Sequence, residues 1–258
     1  MLQFGGASGT LAALGDKGPA VARLLGDRLG LKVPDLPWHA HRDRLAVIAA
    51  SLGVACGTCG KIATDIALLA QTEVGEAAVT RASGSSTMPH KRNPLDASVV
   101  IAASVRAPGL VATILAAMPQ EHERGFGGWQ AEWTAMPELV KISAGAARAT
   151  ADALEHLRFN SRRARENCSF AGGLPMVEAV AIALAPSLGK SEAHHVVERA
   201  TARAVESNQS LEQVLLGDAN VTAHLTAAQI KMCLEPESYL GSARVFVQNV
   251  LGRLSARL

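Results

Sequence analysis

The feature that most restricts the fold is an apolar rhythm running from Leu45 through Ile48, Leu52, Ala55, Cys59, Ile62 and Ile66 to Leu69. Its steps alternate between three and four residues, the period of a helix that buries one stripe against neighbours at a shallow angle. A helix from Arg42 to Glu73 would be on the order of 45 Å long at about 1.5 Å per residue, which suits an elongated bundle. Gly53, Gly57 and Gly60 fall inside it. Each costs roughly 1 kcal/mol against alanine in a helix interior, so the pattern predicts a second helix backbone in close approach as compensation. Two further long segments follow. One starts at Pro94, with Pro108-Gly109 expected to kink it near Val105, and one succeeds the polar stretch from Gln120 to Gly128 and runs to about Leu157. The stretch from Glu76 to Asn93 reads as loop.

Composition supports helices. Hydrophobic residues make up 48% of the 258 residues but aromatics only 3%, a balance that favours close packing through small side chains over a sheet. Residues Pro19 to Leu31 read as a short helix ending at Gly30, and Pro34 and Pro37 mark a linker. Beyond Phe159 the helical patterns shorten: Leu174 to Leu188, Glu192 to Ser207, Leu211 to Leu216, Ala227 to Cys233 and Ser242 to Leu254, with turn signals at Asp218 to Asn220 and at Pro236. The expected fold is therefore all-α: a long-helix bundle central domain over residues 1–158 and a small helical C-terminal domain over residues 159–258.

Charge and cysteine content set expectations about setting and partners. The 25 basic and 23 acidic residues nearly balance, and no basic tract occurs, so nucleic acid is not an expected partner. No uninterrupted apolar run reaches the roughly 18 residues of a membrane span, and no signal peptide opens the chain. Cys56, Cys59, Cys168 and Cys233 have the spacing of neither a disulfide framework nor a zinc site. Cys56 and Cys59 form a CxxC, but inside the helical seam, where core packing is the expected role. A reducing, cytoplasmic setting without membrane or metal follows as the expectation. His156, His194, His195 and His224 read as surface or capping residues, and Asp43 between Arg42 and Arg44 as a charge cluster at a helix start.

Chemistry concentrates in GSSTMPHKRNP, from Gly84 to Pro94. Asn93-Pro94 is a helix-start signal, because Asn caps and Pro suits the first helical position. Lys91, Arg92 and Asn93 then stand at the positive end of a helix, which attracts anions. Ser85, Ser86 and Thr87 supply hydroxyls beside it. A serine is a poor base in water, yet an ammonium, backbone N–H donors and a helix N-terminus all favour its alkoxide. The same groups stabilise an enolate-like carbanion next to a carboxylate. The residues thus allow proton transfer at a carbon α to a carboxylate; an ordinary serine-rich loop and helix cap is the alternative they leave open.

These residues resemble the GSSxMPxKxNP signature of the fumarase/aspartase superfamily, with agreement at every fixed position. The resemblance implies an all-α fold with a long-helix central domain, assembly into a homotetramer with active sites shared between subunits, and no metal or organic cofactor. It makes Ser85 the catalytic base and gives Lys91 and Asn93 roles in holding substrate carboxylates and charge; Ser86, Thr87 and Met88 shape the loop. Arg124 and His90 are further candidates for anion contacts, with a solvated surface role as the alternative. Thr10, in a Gly-rich opening, is a candidate for a substrate carboxylate or for a turn.

Four further stretches, LQFGGASGTLAALG, LPWHAHRDRL, AMPQEHERGFGGWQAEW and YLGSARVFV, are similar to the 3-carboxy-cis,cis-muconate cycloisomerase branch. This implies a small polycarboxylate substrate in protocatechuate breakdown. The competing branch is adenylosuccinate lyase, which shares a His-Glu-Arg stretch like His122-Glu123-Arg124 and follows it with serines and an arginine that hold a nucleotide phosphate. Here Trp129, Gln130 and Trp133 occupy those positions, and an indole cannot replace the bidentate donor fork of a guanidinium. Trp129 and Trp133 are expected either to pack or to wall a pocket. Superfamily members carry two upstream signature regions, so the chain reads as N-terminally truncated, its pocket incomplete by itself. Another superfamily lyase and an inactive scaffold remain as alternatives.

Overall fold

Small side chains let the three longest helices lie close together. The computed structural model describes residues 1–80 and 95–256, and the chain divides into two compact units, Met1–Asn160 and Ser161–Leu258. In the first, α1 (Gly18–Leu29) ends at Gly30, whose φ of 64° is the left-handed conformation that glycine adopts without strain. The bundle consists of α2 (Asp43–Leu69), α3 (Leu95–Ala116) and α4 (Gly128–Glu155). Its core holds Ala49, Cys56 and Ala63 of α2, Val100, Ala107 and Ile114 of α3, and Ala135, Leu139 and Ala146 of α4.

The contact line on α2 is not the expected stripe of larger residues. Ala46, Ala49, Cys56, Gly60, Ala63 and Ile66 are buried, whereas Leu52, Cys59 and Ile62 are half-buried beside them and Ile48 is 48% exposed. Helices approach most closely along their smallest side chains, and these run one position off the larger apolar ones. A Cβ on Gly60 would lie 2.5 Å from Ser104 Cβ, and one on Gly53 would lie 2.8 Å from Val111 Cγ2. The expected compensation therefore holds for these two glycines; Gly57 faces open space, with nothing within 4 Å of a would-be Cβ. Both close contacts share one antiparallel register, which sets the first residue of α3 level with the last of α2.

Polar contacts fix α4 antiparallel to α3 and parallel to α2. Arg106 pairs with Glu138 at 2.6 Å, and the buried Cys56 thiol donates to Ser143 Oγ at 3.2 Å. At the start of α2, the Arg42 guanidinium grips Glu132 of α4, with Nε donating to Oε1 at 2.9 Å and Nη2 to Oε2. Side chains of the two residues are 9% and 5% exposed. Of the charge cluster expected at this helix start, Arg44 pairs locally with Asp43, whereas the partner of Arg42 lies 90 residues away.

The expected helix to Glu73 stops at Leu69, and the stretch read as loop contains a strand, β1 (Ala77–Val79). It pairs antiparallel with β2 (Leu157–Phe159), Ala77 opposite Phe159 and Val79 opposite Leu157. Three-residue strands carry too little period to be read from sequence. Thr80 N donates to His156 O at 3.0 Å, and His156 caps the end of α4. α3 passes Pro108 without a break.

One expectation about apolar length is overturned. Counting uninterrupted runs, the sequence offered no membrane-length segment; Asp43–Leu69 and Asp96–Ala116 contain 18-residue windows of mean hydropathy 1.7 and 1.9. Glycine, serine and threonine barely lower the average, and the few charged residues on these helices, Lys61 and Arg106 among them, do not cancel it. Val47, Val54, Val99 and Val105 stand more than half exposed on these helices.

In the second unit, α5 (Ser161–Phe170) escaped the sequence reading because it has no apolar stripe: its exposed face carries Arg162 and Arg163 ion-paired to Glu166. Then come α6 (Val177–Leu188), α7 (Lys190–Ser207), α8 (Leu211–Leu216), α9 (Ala219–Thr222), α10 (Ala227–Cys233) and α11 (Ala243–Ser255). Val180, Leu184, Val196, Ala200, Leu211, Leu215, Val221 and Ile230 form its core. Ser210 and Thr226 cap α8 and α10 by accepting from Gln213 N and Gln229 N. The expected turn at Asp218 is the start of α9, where the Asp218 carboxylate accepts from Asn220 N at 2.9 Å.

Urea denaturation reports on both bundle contacts. Gly60→Ala lowers stability by about 1–3 kcal/mol through overpacking against Ser104, while Gly57→Ala raises it by about 0.5–1 kcal/mol. Arg42→Met and Glu132→Leu each cost about 3–5 kcal/mol, and the double variant costs well under their sum, because each single change strands a buried charge.

Candidate functional site

The described part of the site lies at the end of the bundle where α2 and α4 begin. Three segments meet there: the Gly-rich opening before Leu11, the linker from Trp38 into α2, and the connection from α3 to α4. The linker is tied to the opening by Trp38 Nε1, which donates to Leu2 O at 2.9 Å, and by Trp38 N, which donates to Gln3 Oε1 at 3.0 Å. Leu2 N in turn donates to Lys32 O at 2.8 Å. Arg124, from the α3–α4 connection, donates through Nη2 to Ala7 O at 2.8 Å. Its guanidinium carbon lies 4.1 Å from the ring centroid of Trp129, a cation–π contact that fixes the plane of the fork.

Gln120 holds the α3–α4 connection to the buried ion pair. Its Nε2 donates to Glu132 Oε1 at 3.4 Å, and its Oε1 accepts from Gly125 N at 3.4 Å. Gly127 then turns into α4 at φ 98°, a conformation open to glycine. Glu121 accepts from Phe126 N at 3.0 Å; its own amide and that of Phe126 hold its carboxyl below the usual range. Trp129 and Trp133 meet edge to face at 5.0 Å, and Trp133 is 57% exposed. The pair lies on the surface of α4 and not in the bundle core.

His39 stands between these parts. Its Nδ1 is 3.3 Å from Gln3 Nε2, and its ring centroid is 6.3 Å from that of Trp129. Arg42 Nη1 donates to His39 O at 3.2 Å. Burial, and then the charges of Arg124 and Arg42, push its pKa below the usual value. Chemically, this end of the bundle offers a fixed guanidinium fork, an aromatic wall, an imidazole and, at exposed Ser8 and Thr10, two hydroxyls 3.4 Å apart. Such a set suits a carboxylate.

Of the sequence candidates, Thr10 and Arg124 belong to this end. Ser85, Ser86, Thr87, Met88, His90, Lys91 and Asn93 lie outside the described residues, as does the helix cap expected at Asn93-Pro94. The residues flanking that segment do have places. Thr80 bonds to His156 at the end of α4, and Leu95 opens α3 level with the end of α2. Both belong to the opposite end of the bundle from Arg42 and Arg124. The 27 residues of α2 span about 40 Å at ~1.5 Å per residue. Arg124 and the residues that flank the signature segment, Thr80 and Leu95, therefore stand about a helix length apart. His39, Arg42, Gln3, Gln120 and Glu132 were not picked out by sequence reasoning; the crowding of cations and histidines in HAHRDR at a helix start was the available signal.

Comparison with known proteins points to one group of enzymes. A lyase family matches residues 1–109, and the adenylosuccinate lyase C-terminus family matches residues 173–250. The 3-carboxy-cis,cis-muconate cycloisomerase of Pseudomonas aeruginosa is 50% identical over 97% of this chain and 55% of its own length. That of Bradyrhizobium diazoefficiens is 48% identical over 98% and 57%. The chain thus spans about half the length of these relatives. The crystal structure of the 3-carboxy-cis,cis-muconate lactonizing enzyme from Pseudomonas putida superposes with a TM-score of 0.87 at 45% identity, covering 97% of this chain and 56% of that one. Signature, family matches and superposed helices converge on one likeness: over its own length the chain resembles lyases of the fumarase/aspartase superfamily.

Proposed function

We propose that the protein carrying this chain is a cycloisomerase that interconverts 3-carboxy-cis,cis-muconate and 4-carboxymuconolactone, in the protocatechuate arm of aromatic breakdown in the cytoplasm. The observation that carries the reading is the pairing of an unbroken GSSTMPHKRNP with Trp129 and Trp133, where the nucleotide-handling branch needs serines and an arginine. Similarity to the cycloisomerases of two bacteria supports it. In the lactonizing direction a substrate carboxylate oxygen forms a bond to one carbon of a C=C. The π pair moves to the adjacent carbon, α to another carboxylate, as an enolate-like species. The Ser85 hydroxyl delivers a proton there, and Lys91 and Asn93 balance the charge left behind. In reverse, the Ser85 alkoxide takes that proton and the C–O bond breaks. No step calls on a metal or organic cofactor.

The pocket forms between copies of the chain in a homotetramer. Two observations favour this. Arg124 and the residues that flank the Ser85 segment stand at opposite ends of one bundle, a separation that a second copy bridges. The exposed apolar faces of α2 and α3 call for cover, and Lys61, Asp65 and Arg106 along them disfavour lipid. Arg124 and Thr10 of one copy then face the substrate carboxylates that Ser85, Ser86, Thr87, Met88, His90, Lys91 and Asn93 of another enclose.

Assays with 3-carboxymuconate, adenylosuccinate and argininosuccinate separate this reading from its neighbours. Turnover of the first alone is expected, and turnover of a nucleotide substrate alone refutes the choice. Ser85→Ala is expected to lower kcat about 10³-fold or more with the fold and oligomer intact; unchanged turnover removes Ser85 from the mechanism.

A further inference from the structure

A relay of two hydrogen bonds fixes the protonation of His39. Trp38 N–H donates to Gln3 Oε1 at 3.0 Å. That contact identifies which end of the Gln3 amide is oxygen, because a backbone N–H must meet an acceptor. The amide nitrogen is then the atom 3.3 Å from His39 Nδ1. An amide NH₂ has no acceptor capacity, so Nδ1 accepts and the ring proton sits on Nε2. Gln3 is itself held, since the neighbouring Leu2 is bonded through both its N and its O. Nε2–H has no hydrogen-bond partner among the described residues.

The surroundings disfavour the charged form of the ring. Burial is the largest influence, followed by the charges of Arg124 and Arg42. Arg42 is bound to Glu132, and Arg124 is braced on Trp129, next to the imidazole. A third cation here would be repelled by two others. A neutral N–H donor gives an anion a hydrogen bond with no such cost, and hydrogen bonds to charged acceptors are the stronger kind.

We infer that His39 contacts substrate, its Nε2–H donating to an oxygen of a carboxylate bound against Arg124, with Gln3 as the positioning residue that sets the tautomer. The inference rests on the reading of this bundle end as half of a polycarboxylate site. His39 adds a directed neutral donor to the charge supplied by Arg124. An acid whose carboxylate is replaced by a group without an acceptor oxygen loses that donor's contribution and leaves it unpaired.

Nitrogen-15 spectra of the imidazoles in the purified protein test the relay, and titration with tricarballylate, an unreactive tricarboxylate, tests the contact. The wild type is expected to show His39 as the Nε2–H tautomer, its Nε2 resonance moving as tricarballylate binds. Gln3→Glu replaces the amide donor by a carboxylate, which draws a proton onto Nδ1. His39→Ala should weaken tricarballylate binding about tenfold and raise KM for 3-carboxymuconate by a similar factor. His39→Gln, whose amide N–H stands in for Nε2–H, should recover most of that loss. An Nδ1–H tautomer in the wild type, or binding and KM unaltered in a folded His39→Ala protein, overturns the inference. A protein that binds tricarballylate through His39 yet leaves 3-carboxymuconate untouched contradicts the proposed reaction and supports the His39 contact.

Discussion

The packing of α2 on α3 through Gly53, Gly60 and a line of alanines governs much else in the first unit. Because Gly60 faces Ser104 and Gly53 faces Val111 without room for a Cβ, the two helices have one register in which their side chains interlock. Sliding by a turn would drive Ser104 or Val111 against a larger residue. That register places the end of α2, the start of α3 and the β1–β2 pair at one end of the bundle. The start of α2, the α3–α4 connection and the Gly-rich opening fall at the other.

Function inherits this separation. The groups described at the start of α2 and α4 gather about a buried charge pair, Arg42 with Glu132. Such a pair adds little net stability once its desolvation is counted. What it contributes here is position: Arg42 also holds the His39 carbonyl, and Glu132 also receives Gln120, which braces the connection carrying Arg124. The imidazole and the guanidinium fork are thereby held in relation to each other by groups with no freedom to turn. Thr80 and Leu95, which flank the signature segment, lie at the other end of the bundle from both. The proposal of a pocket shared between copies is the simplest use of both ends.

Legibility varied with the range of the interaction concerned. The long helices were readable because a 3.6-residue period repeats over many turns, and α1 was readable to its Gly30 cap. The line of contact on α2 was read one position off: apolar size marks a stripe in sequence, but closest approach is decided by what the partner helix presents. α5 was invisible because its few apolar residues, Ala164, Cys168 and Phe170, make no repeating stripe, and β1 and β2 because three residues make no pattern. Arg42 read as one member of a charge cluster at a helix start; nothing local shows that its carboxylate partner is on another helix. His39 looked like one histidine among eight. Its meaning comes from Gln3 and Trp129, which the chain brings to it from far away in both directions.

The sequence by itself determined the all-α class, the helices that build the bundle, and a signature whose small, hydroxylic and cationic residues suit proton transfer beside a carboxylate. Those properties depend on local spacing, which the chain carries wherever it goes. Tertiary structure alone decided which helix faces touch, that Arg42 is buried on Glu132, that His39 lies beside Gln3 and Trp129, and that Thr10 and Arg124 stand a bundle's length from Thr80 and Leu95. Each of these is a relation between residues distant in the chain, set by steric register and by the cost of leaving a buried polar group unpaired, and neither quantity is written in any one segment.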